Sequence, residues 1–150
     1  MATVDIHRVG PGEYDLLARL YNEVLRPTVD ATFFQRRFEH RAHALALVAH
    51  LDDKPVGFVC GYDLRPSTFY AWLCGVLTDA RRMGVASQLM EAQSAWAREH
   101  GFEMMRFECP NFARPMLHVA IRDGFDIVGI RWDARAAHNL VIFEKHLAEV

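Results

Sequence analysis

A run of seven residues in mid-chain, Arg81-Arg82-Met83-Gly84-Val85-Ala86-Ser87, has the types and spacing that bind an anion. Gly84 has no side chain, so a ligand can approach the backbone there, and Ala86 is nearly as small. The run follows an apolar strand and opens a helical pattern. The first turn of a helix carries N–H groups with no internal partner and the positive end of the dipole. Arg81 and Arg82 stand at that same end. Cations there oppose the dipole, so they call for a negative group, and a pyrophosphate supplies one. The plainer reading is a tight strand-to-helix turn with two solvated arginines, and local spacing alone does not choose between the two. Other phosphate sites are excluded. No G-x-G-x-x-G follows the first strand, which argues against a dinucleotide fold. No G-x-x-x-x-G-K-[ST] is present, so ATP hydrolysis has no support.

The elements that must hold this turn can be read from periodicity and punctuation. Thr3 to Val9 predicts a first strand, broken by Pro11-Gly12. Glu13 to Leu25 carries Leu17, Leu20, Tyr21 and Val24 on one face and predicts an amphipathic helix. Asp30 is placed to cap a second short helix bearing Phe34 and Phe38. Ala44 to Leu51 predicts a buried strand, Asp52-Asp53-Lys54-Pro55 a turn, and Val56 to Tyr62 the return strand of a hairpin. Phe69 to Leu77 follows as a fourth strand. Gly84 to Arg98 then predicts a helix stopped by Gly101, and Met104 to Cys109 a fifth strand. Pro115 to Asp123 predicts a short helix closed by Gly124, before a final pair of strands, Phe125 to Trp132 and Asn139 to His146. A strand-helix-strand unit demands a parallel pair at strands four and five. Short turns make the other neighbours antiparallel. The expected class is α/β (α+β): a mixed, mostly antiparallel seven-stranded sheet with helices on both faces.

Composition bounds the function. The 150 residues fit one domain spanning 1–150, long enough to bury a core without disulfides or metals. A net charge of -2 gives no sign of a nucleic-acid-coating protein. The odd, scattered cysteines Cys60, Cys74 and Cys109 argue against a disulfide framework and for a cytoplasmic protein. No signal peptide is visible, and no apolar run approaches the roughly 18 to 20 residues of a membrane span. His40 and His43 lie one helical turn apart, but further ligands and H-E-x-x-H are missing, so no metal is expected. No G-x-S-x-G elbow supports a serine hydrolase.

Arg81-x-x-Gly84-x-Ala86 resembles the [QR]-x-x-G-x-[GA] signature of the GNAT acetyltransferases. The strand ending at Val76, the helix after the turn, Asn111 and the Gly124-Phe125 pair resemble the same family, and the element order agrees from Thr3 to His146. The resemblance implies the acyl-CoA N-acyltransferase fold, with a central parallel pair splayed near Val76 and Cys109. It implies acetyl-CoA as cosubstrate. Backbone N–H groups of Arg82, Met83, Gly84, Val85, Ala86 and Ser87 would hold its pyrophosphate, beside Arg81. Its pantetheine arm would pair with the strand around Val76, where one N–H could hold the developing oxyanion. Two departures stand out. Thr78 replaces a frequent proline. The tyrosine that protonates the departing thiolate in many members maps to Ala120 when counted from Gly124-Phe125, or to His118 when counted from Asn111.

An attacking ammonium must first lose a proton to a base or a water chain. Glu108, at the end of the fifth strand, is the first candidate base, against a plain solvated carboxylate. His118 is the candidate acid, against a helix-face histidine. Tyr62 and Tyr70 are alternatives for either role or members of the core, Tyr70 and Trp72 can line an acceptor pocket, and Cys109 reads as a small buried residue. The expected activity is transfer of acetyl from acetyl-CoA to the primary amine of a small molecule or peptide, in a ternary complex. A homodimer is expected, and neither nucleic acid nor membrane as partner. The rivals are an acyl-CoA-binding module that has lost catalysis and an interaction protein on the same scaffold.

Overall fold

The computed structural model describes residues 2–147; the remaining ends of the expected 1–150 domain, Met1 and 148–150, lie outside the described residues. The elements run β1 (Asp5–Arg8), α1 (Tyr14–Val24), α2 (Ala31–Phe38), β2 (Ala44–Leu51), β3 (Lys54–Arg65), β4 (Thr68–Val76), α3 (Val85–Glu99), β5 (Met104–Pro110), α4 (Arg114–Arg122), β6 (Asp126–Asp133) and β7 (His138–His146). One seven-stranded sheet has the order β1-β2-β3-β4-β5-β7-β6. Every pairing is antiparallel except β4 with β5. The class expected from the pattern is the class observed.

Local chemistry explains most boundaries. At the β2–β3 hairpin Asp52 and Asp53 both have positive φ (52° and 63°), the signature of a two-residue turn whose twist suits the strands. The turn is therefore shorter than the four residues expected. Pro55 enters β3 opposite His50, where the register slips, so its missing N–H is absorbed at an irregularity. A 3-10 turn over Pro11–Glu13 delays α1 to Tyr14. Asp30 precedes α2 but its side chain makes no capping bond; its carbonyl accepts from the Phe33 N–H instead. Gly101 (φ 85°) and Gly124 (φ 89°) end α3 and α4 as the sequence implies. In both, the following phenylalanine donates back: Phe102 to Ala97 and Phe125 to Ala120, each at 3.0 Å.

Alternation along the strands feeds two cores. On one face Leu17, Leu20 and Tyr21 of α1 and Phe34 and Phe38 of α2 pack with Val48, Phe58, Cys60 and Tyr62. On the other, Leu89, Met90 and Ala97 of α3 and Ala120 of α4 pack with Val59, Phe69, Met105 and Phe107. Burying each Leu or Phe contributes about 1.5–3 kcal/mol, so both helical layers are pinned to the sheet.

Two features of β4 position everything that follows. Its parallel pairing with β5 lasts only from Thr68↔Met104 to Tyr70↔Arg106. Just beyond, β4 carries one residue too many for β3. Cys60 pairs with Leu73 and Gly61 with Ala71, leaving Trp72 as a bulge. A bulge bends its strand and increases its twist, and here it coincides with the divergence of β4 from β5. Close packing surrounds it: a Cβ at Gly61 would lie 2.7 Å from the Tyr70 carbonyl oxygen.

Candidate functional site

Where β4 leaves β5, a cleft of about 720 Å³ opens. Its walls are the end of β4 (Cys74, Gly75, Val76), the loop and first turn of α3 (Ala80 to Ser87), one side of α4 (Pro115, Met116, Val119, Arg122) and the end of α1 (Val24, Leu25). The Leu77 N–H donates to Val56 on β3 at 2.8 Å. By strand alternation the polar groups of Val76 therefore face the opposite edge, toward the gap. The Val76 carbonyl accepts from Arg81 Nε at 3.3 Å, which ties the loop to the strand.

The head of α3 is the chemically distinctive part. Arg82 (φ 66°) and Gly84 (φ 78°) both adopt the left-handed region within three residues. That conformation is natural for Gly84 and strained for an arginine. The first bond of α3 is the Gln88 N–H to the Gly84 carbonyl. Among the described residues, none of the consecutive N–H groups from Arg82 to Ser87 has a backbone or side-chain acceptor. All of these residues line the cleft. Unpaired backbone donors are rare unless water or a ligand meets them. Here they form a ready anion site at the positive end of a helix. Arg122 reaches from α4 to hydrogen-bond the Ser87 hydroxyl, adding a third cation beside Arg81 and Arg82.

The other face of the same strands carries different chemistry. Glu108 on β5 accepts from Arg131 at 2.8 Å and lies 3.6 Å from Arg106, with its side chain 11% exposed. Tyr70 stands close by; burial first, then the Glu108 carboxylate, push its phenol up to about 12. It stays protonated at neutral pH and can donate but not accept a proton. Tyr62 meets Tyr70 edge-on with ring centres 5.5 Å apart, and Trp72 lies 6.0 Å from Tyr62. Back on the α3 side of the sheet, desolvation pushes the thiol of Cys74 up to about 12 and that of Cys109 to about 11. Neither supplies a thiolate nucleophile.

The remaining sequence candidates sit as follows. Val76 and Arg81 to Ser87 come together in the cleft. Glu108 lies across the sheet from it, facing Tyr70. Asn111 is exposed, outside the lining, and its N–H donates to the Asn139 carbonyl at 3.0 Å. His118 is exposed on α4, just beside the residues that line the cleft. Ala120 is 2% exposed within the core, so that slot offers no side chain to the cleft. Arg122 is in the cleft lining but was not among the sequence candidates, because its approach to Ser87 depends on how α4 packs beside α3. Among the described residues no group of three His, Cys, Asp or Glu side chains is placed to hold a metal, and no helix is long and apolar enough to cross a membrane.

Comparison with known proteins gives this geometry a context. Residues 13–125 match the acetyltransferase (GNAT) family. The fold superimposes on Ard1 from Thermoplasma volcanium with a TM-score of 0.84 at 19% identity, covering 99% of this chain and 100% of that one. It superimposes on the ribosomal-protein-S18-alanine N-acetyltransferase from Escherichia coli with a TM-score of 0.85 at 12% identity, covering 99% and 96%. A third similar structure is yncA from Salmonella typhimurium, called a putative acetyltransferase and solved with acetyl-CoA (TM-score 0.81, 15% identity, coverage 99% and 96%). No curated protein matches the chain.

Proposed function

This chain belongs to the GNAT family of acetyltransferases, and on that premise we propose that it passes the acetyl group of acetyl-CoA to a primary amine by direct attack, with both substrates bound at once. One observation carries the reading: the unbroken row of N–H groups without acceptors at the head of α3, lining the cleft that enters the sheet. A diphosphate fits that row, and Arg81, Arg82 and Arg122 neutralise it. The edge of β4 at Val76 then serves the pantetheine arm, with Val24 and Leu25 adding apolar surface to the cleft wall.

The acceptor approaches from the opposite face, over Tyr70, Trp72 and Glu108. Binding the two substrates side by side supplies much of the rate. The amine nitrogen forms a C–N bond to the acetyl carbon as the C–S bond breaks. The amine proton goes to Glu108, directly or through water; the thiolate takes a proton from water, and the proton held by Glu108 neutralises the hydroxide left behind, restoring the carboxylate. A thiol of ordinary pKa about 8.5 leaves without an obligatory acid, which accommodates the absence of a side chain at Ala120.

That same Ala120 motivates a second reading, a coenzyme-binding module without catalysis. Incubation with acetyl-CoA and a broad panel of amines, measuring free thiol and acetylated product together, separates them. Amine-dependent release of both supports transfer. Tight coenzyme binding with no amine-dependent release establishes the module instead.

A further inference from the structure

We infer that the amine acceptor carries a carboxylate, received by Arg37 and Arg41 in a second cavity beside the β4 bulge; this deepens the acetyl-transfer reading and rests on it. The cavity, about 1050 Å³, is walled by the α1–α2 connection and α2, including Thr28, Phe33, Arg36, Arg37 and Arg41. The same connection lines both openings: Leu25 belongs to the coenzyme cleft and Thr28, three residues on, to this cavity. Its inner wall reaches the bulge, because Phe33 stacks on Trp72 with ring centres 5.2 Å apart.

Two exposed guanidiniums at this cavity lie over aromatic rings. Arg37 lies 4.6 Å over the Trp72 ring and donates to the Tyr62 hydroxyl at 3.2 Å. Arg41 lies 4.3 Å over the Tyr62 ring and donates to the Asp63 carbonyl at 3.1 Å. Each thus has a ring beneath it and one committed N–H, with further donors remaining. An arginine stacked on a ring recognises a carboxylate through its planar fork of donors, and the ring limits the freedom lost on binding. Asp30 and Glu39 line the same cavity. Among the described residues, however, no carboxylate lies within ion-pairing distance of Arg36, Arg37 or Arg41.

A line of side-chain contacts leads from the cavity, past the buried Tyr62, toward Glu108. Arg37 and Arg41 contact Tyr62, Tyr62 contacts Tyr70, and Tyr70 stands by Glu108. An acceptor whose ammonium sits toward Glu108 and whose carboxylate sits toward the arginines matches this order of charges. A purely cationic acceptor would set its far end against unpaired guanidiniums.

The test compares δ-aminovalerate with its uncharged analogue pentylamine, and a peptide with glutamate second in its sequence with the glutamine counterpart. These arms separate a free amino acid from an acidic peptide as the source of the carboxylate. In the wild type, kcat/KM for the carboxylated member of at least one pair exceeds that of its neutral partner by about tenfold or more. In an Arg37→Gln/Arg41→Gln variant this preference falls to near unity, while the Kd for acetyl-CoA is unchanged and certifies the fold. Equal use of both members of each pair overturns the inference, as does a preference that survives the double substitution. Calorimetry with coenzyme A bound reads the same site without turnover. Binding of δ-aminovalerate or the acidic peptide to the wild type and not to the variant supports the inference even where no acetyl is transferred, an outcome that sinks only the catalytic reading. Failure of both to bind overturns it.

Discussion

Replacing Gly84 by valine, with alanine as a control, tests the head of α3 most directly. Two effects must be separated. Gly84 has φ 78°, and any side-chain-bearing residue forced into that region loses about 1–2 kcal/mol. In a chain of this length that lowers Tm by roughly 2–8 °C, and alanine carries most of the same penalty. The second effect belongs to the bulk of valine, which obstructs backbone approach. Charge-assisted hydrogen bonds contribute about 1.5–3 kcal/mol each. Losing two of those available between Arg82 and Ser87 therefore weakens coenzyme binding by roughly two to four orders of magnitude. Differential scanning gives the first number and titration calorimetry with coenzyme A the second. The expected pattern is a similar Tm loss for both variants and a much larger loss of affinity for Gly84→Val. A folded Gly84→Val protein that binds coenzyme A as tightly as the wild type refutes the assignment of this loop.

Three further outcomes are expected. Glu108→Gln lowers kcat by about 10²–10⁴ with coenzyme affinity intact, whereas His118→Ala, exposed and outside the lining, changes kcat by less than about threefold; single-turnover kinetics distinguish them. Arg122→Ala removes the partner of Ser87 and a cation from the cleft, weakening coenzyme A binding by about tenfold, and the loss shrinks as salt is raised. Stability falls as pH rises from about 9 toward 12, followed by urea unfolding. Burial raises the pKa of Cys74, Cys109 and Tyr70 in the fold above their ordinary values of 9.0 and 10.0. The folded chain then holds protons that the unfolded chain has released, so this stabilisation is complete below pH 9 and is lost through the alkaline range.

Element type and order were legible because amphipathic periodicity, the Gly101 and Gly124 stops and the turn residues agree with one another. The loop from Arg81 to Ser87 stood out as a candidate because its arginines oppose the helix dipole and Gly84 leaves the backbone open, and the structure brings those residues together at one cleft. Less was visible where a feature depends on register. Nothing in Tyr70-Ala71-Trp72-Leu73 signals that Trp72 bulges, since the extra residue exists only relative to Cys60 and Gly61 on β3. The hairpin at Asp52-Asp53 is tighter than its composition suggests, because Pro55 finds room at a slip in the ladder. Arg122, Arg37 and Arg41 look like ordinary surface charges until packing brings each beside its neighbour. The ion pairs of Glu108 with Arg131 and Arg106 are likewise set by how β5, β6 and β7 align.

Trp72 makes the opening in the sheet a matter of counting rather than of chemistry. The extra residue on β4 is offset further along the ladder by the slip at Leu64 on β3, so what sets the opening is where the register shifts and not which side chains β4 carries. Conversely, a single-codon deletion at Trp72 would move that shift, and with it the mouth of the cleft, without altering any residue of the loop from Arg81 to Ser87.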